Sequence, residues 1–211
     1  MFFASQPQLE WSEIFANARP VEIEIGSGKG GFLFAYARQH PETNLLAIEN
    51  QPRWARWIGE RLARAPQSNV RVVCADASLV VSHFVRDDSV QAYHLYFPDP
   101  WWKRRHHKRR LVQSDFAAEL WRTLVPGGAL HLATDVRERF EAMIQALSFV
   151  PFAIAKESEP TPLGRPLTNF ERKYREQDRR LYYATFTKKA LGFGLQASAK
   201  TGRSLLPKPE A

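Results

Sequence analysis

The chain contains the run Val21-Glu22-Ile23-Glu24-Ile25-Gly26-Ser27-Gly28-Lys29-Gly30-Gly31 near its start. The alternating β-branched residues of the first half predict a β-strand that stops at Gly26. Residues 32–40 are rich in apolar side chains and predict a helix, which Pro41 ends. Glycines between a strand and a helix favour an α/β protein that holds a nucleotide-like cofactor at this turn, although such a motif alone is weak evidence.

The same alternation of strand and helix continues along the chain. Further strands are predicted at 44–49, 69–75, 90–97 and 129–133, and helices at 53–65, 77–84, 114–124 and 136–147. Ser114 is the predicted N-cap of the third of these helices, and Pro126-Gly127-Gly128 is predicted to close it. Residues 149–156 and 181–187 alternate like a final strand pair. This order predicts a doubly wound, Rossmann-like α/β sheet, mostly parallel, with an antiparallel C-terminal hairpin strand.

The length of 211 residues predicts one main domain. We expect residues 1–19 to form a lead-in with a short helix, 20–189 the α/β domain and 190–211 a flexible tail. The single cysteine, Cys74, excludes an internal disulfide, and its apolar neighbours predict a core position. No apolar run approaches the roughly 18 residues of a membrane span, and no Cys/His spacing predicts a metal site. The sequence therefore predicts a cytoplasmic protein that neither associates with a membrane nor holds a metal ion. It leaves the oligomeric state open.

A second informative run is Phe97-Pro98-Asp99-Pro100-Trp101-Trp102, followed by the cationic segment Lys103–Arg110. The two prolines fix the backbone around Asp99 in an extended turn, and the tryptophans offer flat faces on which a base can stack. The formal net charge is +8. Such a basic excess indicates a polyanionic partner, either nucleic acid or an anionic membrane surface.

Acidic side chains stand at the predicted carboxyl ends of the strands, where ligands bind in doubly wound sheets. They are Glu24, Glu49, Asp76, Asp99 and Asp135. The glycines fit both a dinucleotide pattern and a looser methyl-donor pattern. A carboxylate two residues before the first glycine suits the cationic S-adenosylmethionine better than an anionic pyrophosphate. Under this interpretation Glu49 accepts from ribose hydroxyls and Asp76 accepts from an adenine amino group.

These residues resemble the bacterial tRNA (guanine-N7)-methyltransferases, which modify a guanine in the tRNA variable loop. The resemblance rests on the segments Glu24–Gly28, Glu49, Ala75–Ala77, Phe97–Trp101 with Lys103 and the following basic run, Ala133–Asp135, and Thr168–Arg175. It spans residues 21–187. The chain departs from the family pattern at Trp102, and at Asp178, where the family often has glycine.

The resemblance implies a set of site residues. Glu24, Gly26, Gly28, Glu49, Asp76 and Asp99 would bind S-adenosyl-L-methionine, with Asp99 also the catalytic residue. Lys103, Asp135, Thr168, Asn169, Phe170 and Glu171 would contact the substrate. Arg105, His106, His107, Lys108, Arg109 and Arg110 would grip the tRNA.

Guanine N7 carries a lone pair and no proton, so the transfer needs positioning rather than a general base. Asp99 is expected to stabilise the positive charge that moves onto the purine. Three alternatives remain open from the sequence. They are methyl transfer to an amino nitrogen of a base, a nicotinamide-dependent oxidoreductase that uses the same glycine loop, and a non-catalytic RNA-binding module.

Overall fold

The computed structural model describes residues 8–98, 111–157 and 164–189. The helices are α1 Trp11–Phe15, α2 Gly31–Gln39, α3 Pro52–Arg64, α4 Ala77–Phe84, α5 Ser114–Thr123, α6 Arg137–Leu147 and α7 Asn169–Glu176. The strands are β1 Val21–Ile25, β2 Asn44–Glu49, β3 Val70–Cys74, β4 Val90–Tyr96, β5 Leu124–Thr134, β6 Phe152–Glu157 and β7 Tyr182–Lys188. The predicted alternation of strands and helices is confirmed.

The seven strands form one sheet in the order β3-β2-β1-β4-β5-β7-β6. Strands β1 to β5 pair in parallel, and β7 lies antiparallel between β5 and β6. The predicted parallel sheet with an antiparallel C-terminal strand is therefore confirmed. The strand order reverses between β1 and β4, and in such sheets ligands bind beyond the carboxyl ends of the strands at that switch point.

Alternation along β1 divides its side chains between the two faces of the sheet. Val21, Ile23 and Ile25 are buried in the larger hydrophobic core, which also receives α4, α5 and α6. Glu22 is buried too and accepts a 2.6 Å hydrogen bond from Nε2 of His94. Burial opposes ionisation of Glu22, but the hydrogen bonds from His94 and Tyr36 and the charges of His94 and His131 together outweigh it and hold the pKa of Glu22 below its usual value. A charged group is thereby accommodated inside the sheet.

The structure differs from the sequence-based expectations in four places. Strand β5 begins at Leu124, so the Pro126-Gly127-Gly128 segment belongs to a strand rather than to a loop. The strand is irregular there, because its pairing register with β4 shifts between Val90 and Ala92. Gln113, not Ser114, is the N-cap of α5. Cys74 is exposed, because it ends the edge strand β3.

The fourth difference is α7, a helix at Asn169–Glu176 where no helix is predicted from the sequence. The predicted tail, residues 190–211, lies outside the described residues. None of the helices in the described ranges is both long and apolar enough to cross a membrane.

Candidate active site

A cavity of about 1140 Å³ opens at the carboxyl ends of the parallel strands. All five parallel strands supply part of its wall, through Ile25, Glu49, Ala75, Asp76, Leu95, Tyr96 and Thr134. Helices α3 to α7 and the connecting loops supply the remainder, with Trp54, Phe116, Arg139 and Phe170 among the helical residues. The predicted crevice at the switch point is therefore present, and it is large enough for a cofactor together with a second molecule.

Glu49 ties the glycine loop to the end of β2. Its Oε2 accepts a hydrogen bond of 2.7 Å from the backbone N–H of Gly28, and its Oε1 accepts one of 2.7 Å from Gln51. Gly28 has a φ of +52°, a backbone conformation that residues with a side chain adopt at a cost. Gly26 also lines the cavity, and its N–H donates to the carbonyl of Ile48. The structure thus brings Gly26, Gly28 and Glu49 together.

Glu24 is not among the residues that line the cavity, although its chain neighbour Ile25 is. It is only 4% exposed, and its Oε2 has no hydrogen-bond partner among the described residues. Burial and the nearby carboxylate of Glu49 raise the pKa of Glu24 to about 8, despite the opposing effects of Ser27 and Arg165. A buried carboxyl oxygen without a donor fits a site that receives a cationic or hydrogen-bonding ligand group.

Asp76 occupies the corresponding position after β3. Its Oδ1 caps α4 by accepting from both the N–H and the hydroxyl of Ser78, each at 2.7 Å. The side chain is exposed and lines the cavity. Asp76 and Glu49 therefore present two carboxylates to the same space, as the sequence predicted.

The chain turns sharply into the cavity after β4. Phe97 has a φ of +52°, which is unusual for a bulky residue and costs of order 1–3 kcal/mol. Its N–H donates to the carbonyl of Ala133 at 2.7 Å, and its ring lies 5.9 Å from that of Phe170 and 5.5 Å from that of Tyr174. Pro98 accepts a hydrogen bond from Arg139 of α6. These contacts hold a strained turn at the edge of the cavity.

Asp99, Lys103 and the Arg105–Arg110 run lie outside the described residues. The described chain reaches the cavity on both sides of that gap, because Phe97, Pro98, Leu111 and Val112 all line it.

Asp135 and Phe170, both predicted as substrate contacts, meet at one side of the cavity. The carboxylate of Asp135 forms a 2.5 Å ion pair with Arg179, whose guanidinium lies 4.3 Å from the ring centre of Tyr174. Tyr174 in turn is stacked on Phe170, with ring centres 5.8 Å apart. Phe170 remains 49% exposed. Phe97, Phe170 and Tyr174 together form what we call the aromatic wall.

Glu171 is placed differently from the sequence-based expectation, because it is fully buried. Its carboxylate accepts from both terminal nitrogens of Arg165, at 2.6 and 3.0 Å, and from the N–H of Thr168 at 2.7 Å. Thr168 completes a capping box with Glu171 and is itself buried. Both residues therefore hold α7 in place instead of facing the cavity. Thr-x-x-Glu is a recognised helix-start pattern, and it would have predicted α7 from the sequence.

Asn169 packs against the start of α2. A Cβ added at Gly31 would lie 2.5 Å from Oδ1 of Asn169, so a larger residue there would require the Asn169 side chain to move. Gly31 therefore permits a close contact between α2 and α7.

Arg139 and Arg165 are functional candidates that sequence reasoning missed. Each is largely buried, and an arginine in an amphipathic or loop segment gives no sequence signal of burial.

In the described part of the chain, no group of three or more His, Cys, Asp or Glu side chains is arranged to hold a metal ion.

Comparison with known proteins gives matches over most of the chain. Residues 18–184 match a family model described as "Putative methyltransferase". A tRNA (guanine-N(7)-)-methyltransferase of Aliivibrio fischeri (strain MJ11) is 41% identical over 174 residues, covering 79% of this chain and 71% of the relative. The protein of the same name from Nitrosomonas eutropha (strain DSM 101675 / C91 / Nm57) is 38% identical over 188 residues, covering 88% and 84%.

Solved structures with a similar fold are more distant in sequence. The 16S rRNA methyltransferase KamB superposes with a TM-score of 0.63 at 17% identity, covering 85% of this chain and 93% of that one. The aminoglycoside resistance methyltransferase NpmB1 gives 0.61 at 18% identity, covering 84% and 91%. At such identities these two comparisons establish the fold alone.

Proposed function

Because this chain belongs to the tRNA (guanine-N(7)-)-methyltransferase family, we propose that it transfers the methyl group of S-adenosyl-L-methionine to N7 of a guanine in the variable loop of tRNA. The observation that carries this function is the cavity at the strand ends. It combines the carboxylates of Glu49 and Asp76 on one side with the aromatic wall on another. Such a space suits a cofactor and a base side by side.

S-adenosyl-L-methionine supplies a methyl group on a positively charged sulfur. We assign its binding to Glu24, Gly26, Gly28, Glu49, Asp76 and Asp99. Each oxygen of Glu49 already accepts one backbone N–H, which leaves further lone pairs for ribose hydroxyls. Asp76 uses Oδ1 to cap α4, so its second oxygen can accept from an adenine amino group. The unpartnered Oε2 of Glu24 supports a contact with a cationic group of the cofactor.

The protein must also hold the guanine in line with the methyl group of the cofactor. Aromatic rings bind a base by stacking, and Phe170 is half exposed beside Phe97. Asp135, fixed by Arg179, can accept hydrogen bonds from the base edge. Holding two reactants in line supplies roughly 7 kcal/mol or more of the barrier, which is why positioning dominates this reaction.

We propose Asp99 as the catalytic carboxylate. The turn at Phe97 and Pro98, the two residues before it, lies on the cavity wall, which supports this assignment. A carboxylate placed there would stabilise the positive charge that develops on the purine. Lys103 is proposed to contact the substrate, and Arg105 to Arg110, with His106 and His107, to bind the tRNA backbone.

We propose that Thr168 and Glu171 position the start of α7. Asn169 and Phe170 are proposed to be the residues of this segment that lie nearest the substrate. The buried Arg165–Glu171 pair and the capping box fix the first turn of α7, from which Phe170 reaches the cavity. We further propose that residues 20–189 form the catalytic domain and that the enzyme works in the cytoplasm.

The test of this function is transfer of a labelled methyl group to unmodified tRNA, followed by digestion and identification of the nucleoside. N7-methylguanosine, which carries a fixed positive charge, is the expected product. Label on an exocyclic amino nitrogen would instead establish the amino-methylating alternative. Binding of NAD without S-adenosyl-L-methionine would favour the oxidoreductase alternative.

Replacing Asp99 with asparagine is expected to lower kcat at least 100-fold, because loss of one preplaced electrostatic partner costs about that much. Asp115→Asn is the matched control, since Asp115 is an exposed carboxylate on the cavity wall without an assigned role. Single-turnover rates and cofactor dissociation constants would be measured for both variants. Near-normal turnover of the Asp99 variant with unchanged cofactor affinity would remove Asp99 from the mechanism.

A further inference from the structure

The first turns of helix α3, directly after Pro52, contain the run Arg53-Trp54-Ala55-Arg56-Trp57, with two Arg-Trp pairs three residues apart. A spacing of three places the members of the two pairs on neighbouring positions of one helix surface. Ala55 and Ile58 are buried beneath them. The helix carries four arginines and a single carboxylate, Glu60, and is therefore strongly cationic.

Trp54 connects this surface to the candidate active site. It lines the cavity together with Glu49 and Gln51. Two cations lie over its ring, the guanidinium of Arg53 at 4.4 Å from the ring centre and Nζ of Lys29 at 5.2 Å. The cavity rim is therefore basic and aromatic on the α3 side.

Trp57 and Arg56 continue the surface away from the rim. Trp57 is 49% exposed, and Arg56 is exposed without a hydrogen bond, ion pair or ring contact to any residue that the structure describes. Other arginines of the helix are engaged, since Arg61 lies 4.1 Å from the ring centre of Phe34 and Arg64 pairs with Glu60. The pair Arg56-Trp57 is left available to a partner.

The chemistry of this surface fits RNA better than it fits a membrane. Exposed aromatic rings flanked by arginines bind nucleic acid, because the rings stack on bases and the cations neutralise phosphates. A helix that binds a membrane surface needs an apolar face to insert. In α3 the apolar positions Ala55 and Ile58 are already buried in the protein.

We propose that the Arg53–Trp57 surface of α3 is a second tRNA-binding surface, on which Trp57 stacks on an unpaired base and Arg56 contacts a phosphate. This inference rests on the proposed function, because it requires tRNA to approach the cavity. A tRNA bound there lies beside Trp54 at the cavity rim, so that a guanine of the bound RNA can enter the cavity.

The test measures binding of unmodified tRNA to the full-length protein at several salt concentrations. Trp57→Ala is expected to weaken binding about tenfold with an unchanged salt dependence, and Trp57→Phe to retain most of the affinity, because phenylalanine still stacks. Arg56→Gln is expected to reduce the slope of log Kd against log salt by about one. Cofactor affinity and the melting temperature should stay at wild-type values, since both side chains are exposed.

Arg64→Gln is the matched control. It removes the same charge from the same helix, roughly 10 Å further along the axis than Trp57, at a residue already paired with Glu60. An equal effect of Arg56→Gln and Arg64→Gln would overturn the proposal, because it would indicate a diffuse charge effect. Wild-type tRNA binding by the Trp57→Ala variant would overturn it as well.

A membrane role is tested with vesicles of phosphatidylglycerol and phosphatidylcholine. Vesicle binding that depends on Trp57, with unchanged tRNA binding, would replace our proposal with a membrane-binding surface. The proposed activity is judged separately by methyl transfer. A wild-type protein that binds tRNA through Trp57 but transfers no methyl group would refute the activity and leave the surface intact.

Discussion

Among individual residues, the carboxylates around the cavity differ in their surroundings and so in their expected behaviour. Glu49 is held by two backbone N–H donors, Asp76 is exposed, and Glu24 is buried with an unpartnered oxygen. A buried carboxyl group with an oxygen that no donor reaches favours its neutral form. Because burial raises the pKa of Glu24 to about 8, this group is mostly protonated in the ligand-free protein at neutral pH.

Replacing Glu24 with glutamine tests whether Glu24 titrates in this way in the folded protein. Burial raises the pKa of Glu24 from its ordinary value of 4.5 to about 8. The folded state thus holds the proton more tightly than the unfolded chain, so the contribution of Glu24 to stability is complete below pH 4.5 and is lost as the pH rises through 8. Glutamine stays neutral, and the stability of Glu24→Gln relative to wild type should increase between pH 5 and pH 9.

The measurement is urea unfolding of the ligand-free proteins at pH 5, 7 and 9. The comparison is made between variant and wild type because His131, whose pKa burial lowers to about 3, and other groups affect both proteins equally. A constant stability difference across this range would show that Glu24 does not titrate as inferred. The same substitution should weaken cofactor binding.

Asp178 offers a second test at a single position. It follows the C-cap of α7 with a φ of +50°, where glycine is the usual residue. Its side chain is strained there and also places a negative charge at a helix C-terminus. Asp178→Gly should therefore increase the free energy of unfolding by about 1 kcal/mol. Asp178→Ala removes the charge but keeps the Cβ, and should gain less; equal gains would refute the backbone explanation.

Among the secondary-structure elements, α7 does most to shape the substrate side of the cavity. Its N-terminus is fixed by the capping box and by the buried Arg165–Glu171 pair, and Asn169 packs on Gly31 of the glycine loop. Burial opposes ionisation of Glu171, but the hydrogen bonds and charge of Arg165, together with the hydrogen bonds from Thr168, outweigh it and keep the pKa of Glu171 below its usual value. One short helix thereby joins the aromatic wall to the cofactor loop.

Replacing Arg165 with lysine should disturb this helix while preserving the charge. Lysine cannot reproduce the two parallel hydrogen bonds to Glu171. We expect the KM for tRNA to rise about tenfold, since Phe170 is no longer held, and the Kd of S-adenosyl-L-methionine to change less than twofold. Steady-state kinetics with tRNA and calorimetry with the cofactor would measure the two effects.

Arg71→Lys provides the matched control for this variant. Arg71 also donates several hydrogen bonds, to the carbonyls of Ile14, Ser68 and Val70, but lies away from the cavity. It should lower the melting temperature without altering the KM for tRNA. If both variants changed only stability, Arg165 would have a purely structural role.

In the molecule as a whole, a net charge of +8 predicts strongly salt-dependent association with tRNA. Replacing Arg109 and Arg110 with alanine should weaken binding and reduce the slope of log Kd against log salt by about two, one for each cation. Fluorescence anisotropy with labelled tRNA would measure this slope between roughly 50 and 300 mM salt, the range in which phosphate contacts weaken.

The control for this pair is Arg38→Ala with Arg64→Ala, which removes two exposed cations from α2 and α3. Its slope should fall less than that of the Arg109 and Arg110 variant. A flat salt profile for the wild-type protein would contradict the electrostatic account altogether.

Local patterns in the sequence were sufficient to predict β1, β2 and α4 with their observed limits and the α/β sheet with its antiparallel strand. They also placed Glu49 and Asp76 at the cavity. This succeeded because hydrophobic periodicity and the glycine and proline positions act over short segments, and because parallel strands share one carboxyl edge.

Tertiary structure alone assigned partners between distant residues. It showed that Glu171 is bound by Arg165, that Glu24 is not among the residues lining the cavity, and that Arg139 holds the turn at Pro98. Burial and hydrogen-bond partners depend on which segments pack together, and one sequence carries no local signal of that packing. The contacts around the aromatic wall became visible only once the sheet had brought α6 and α7 beside the end of β4.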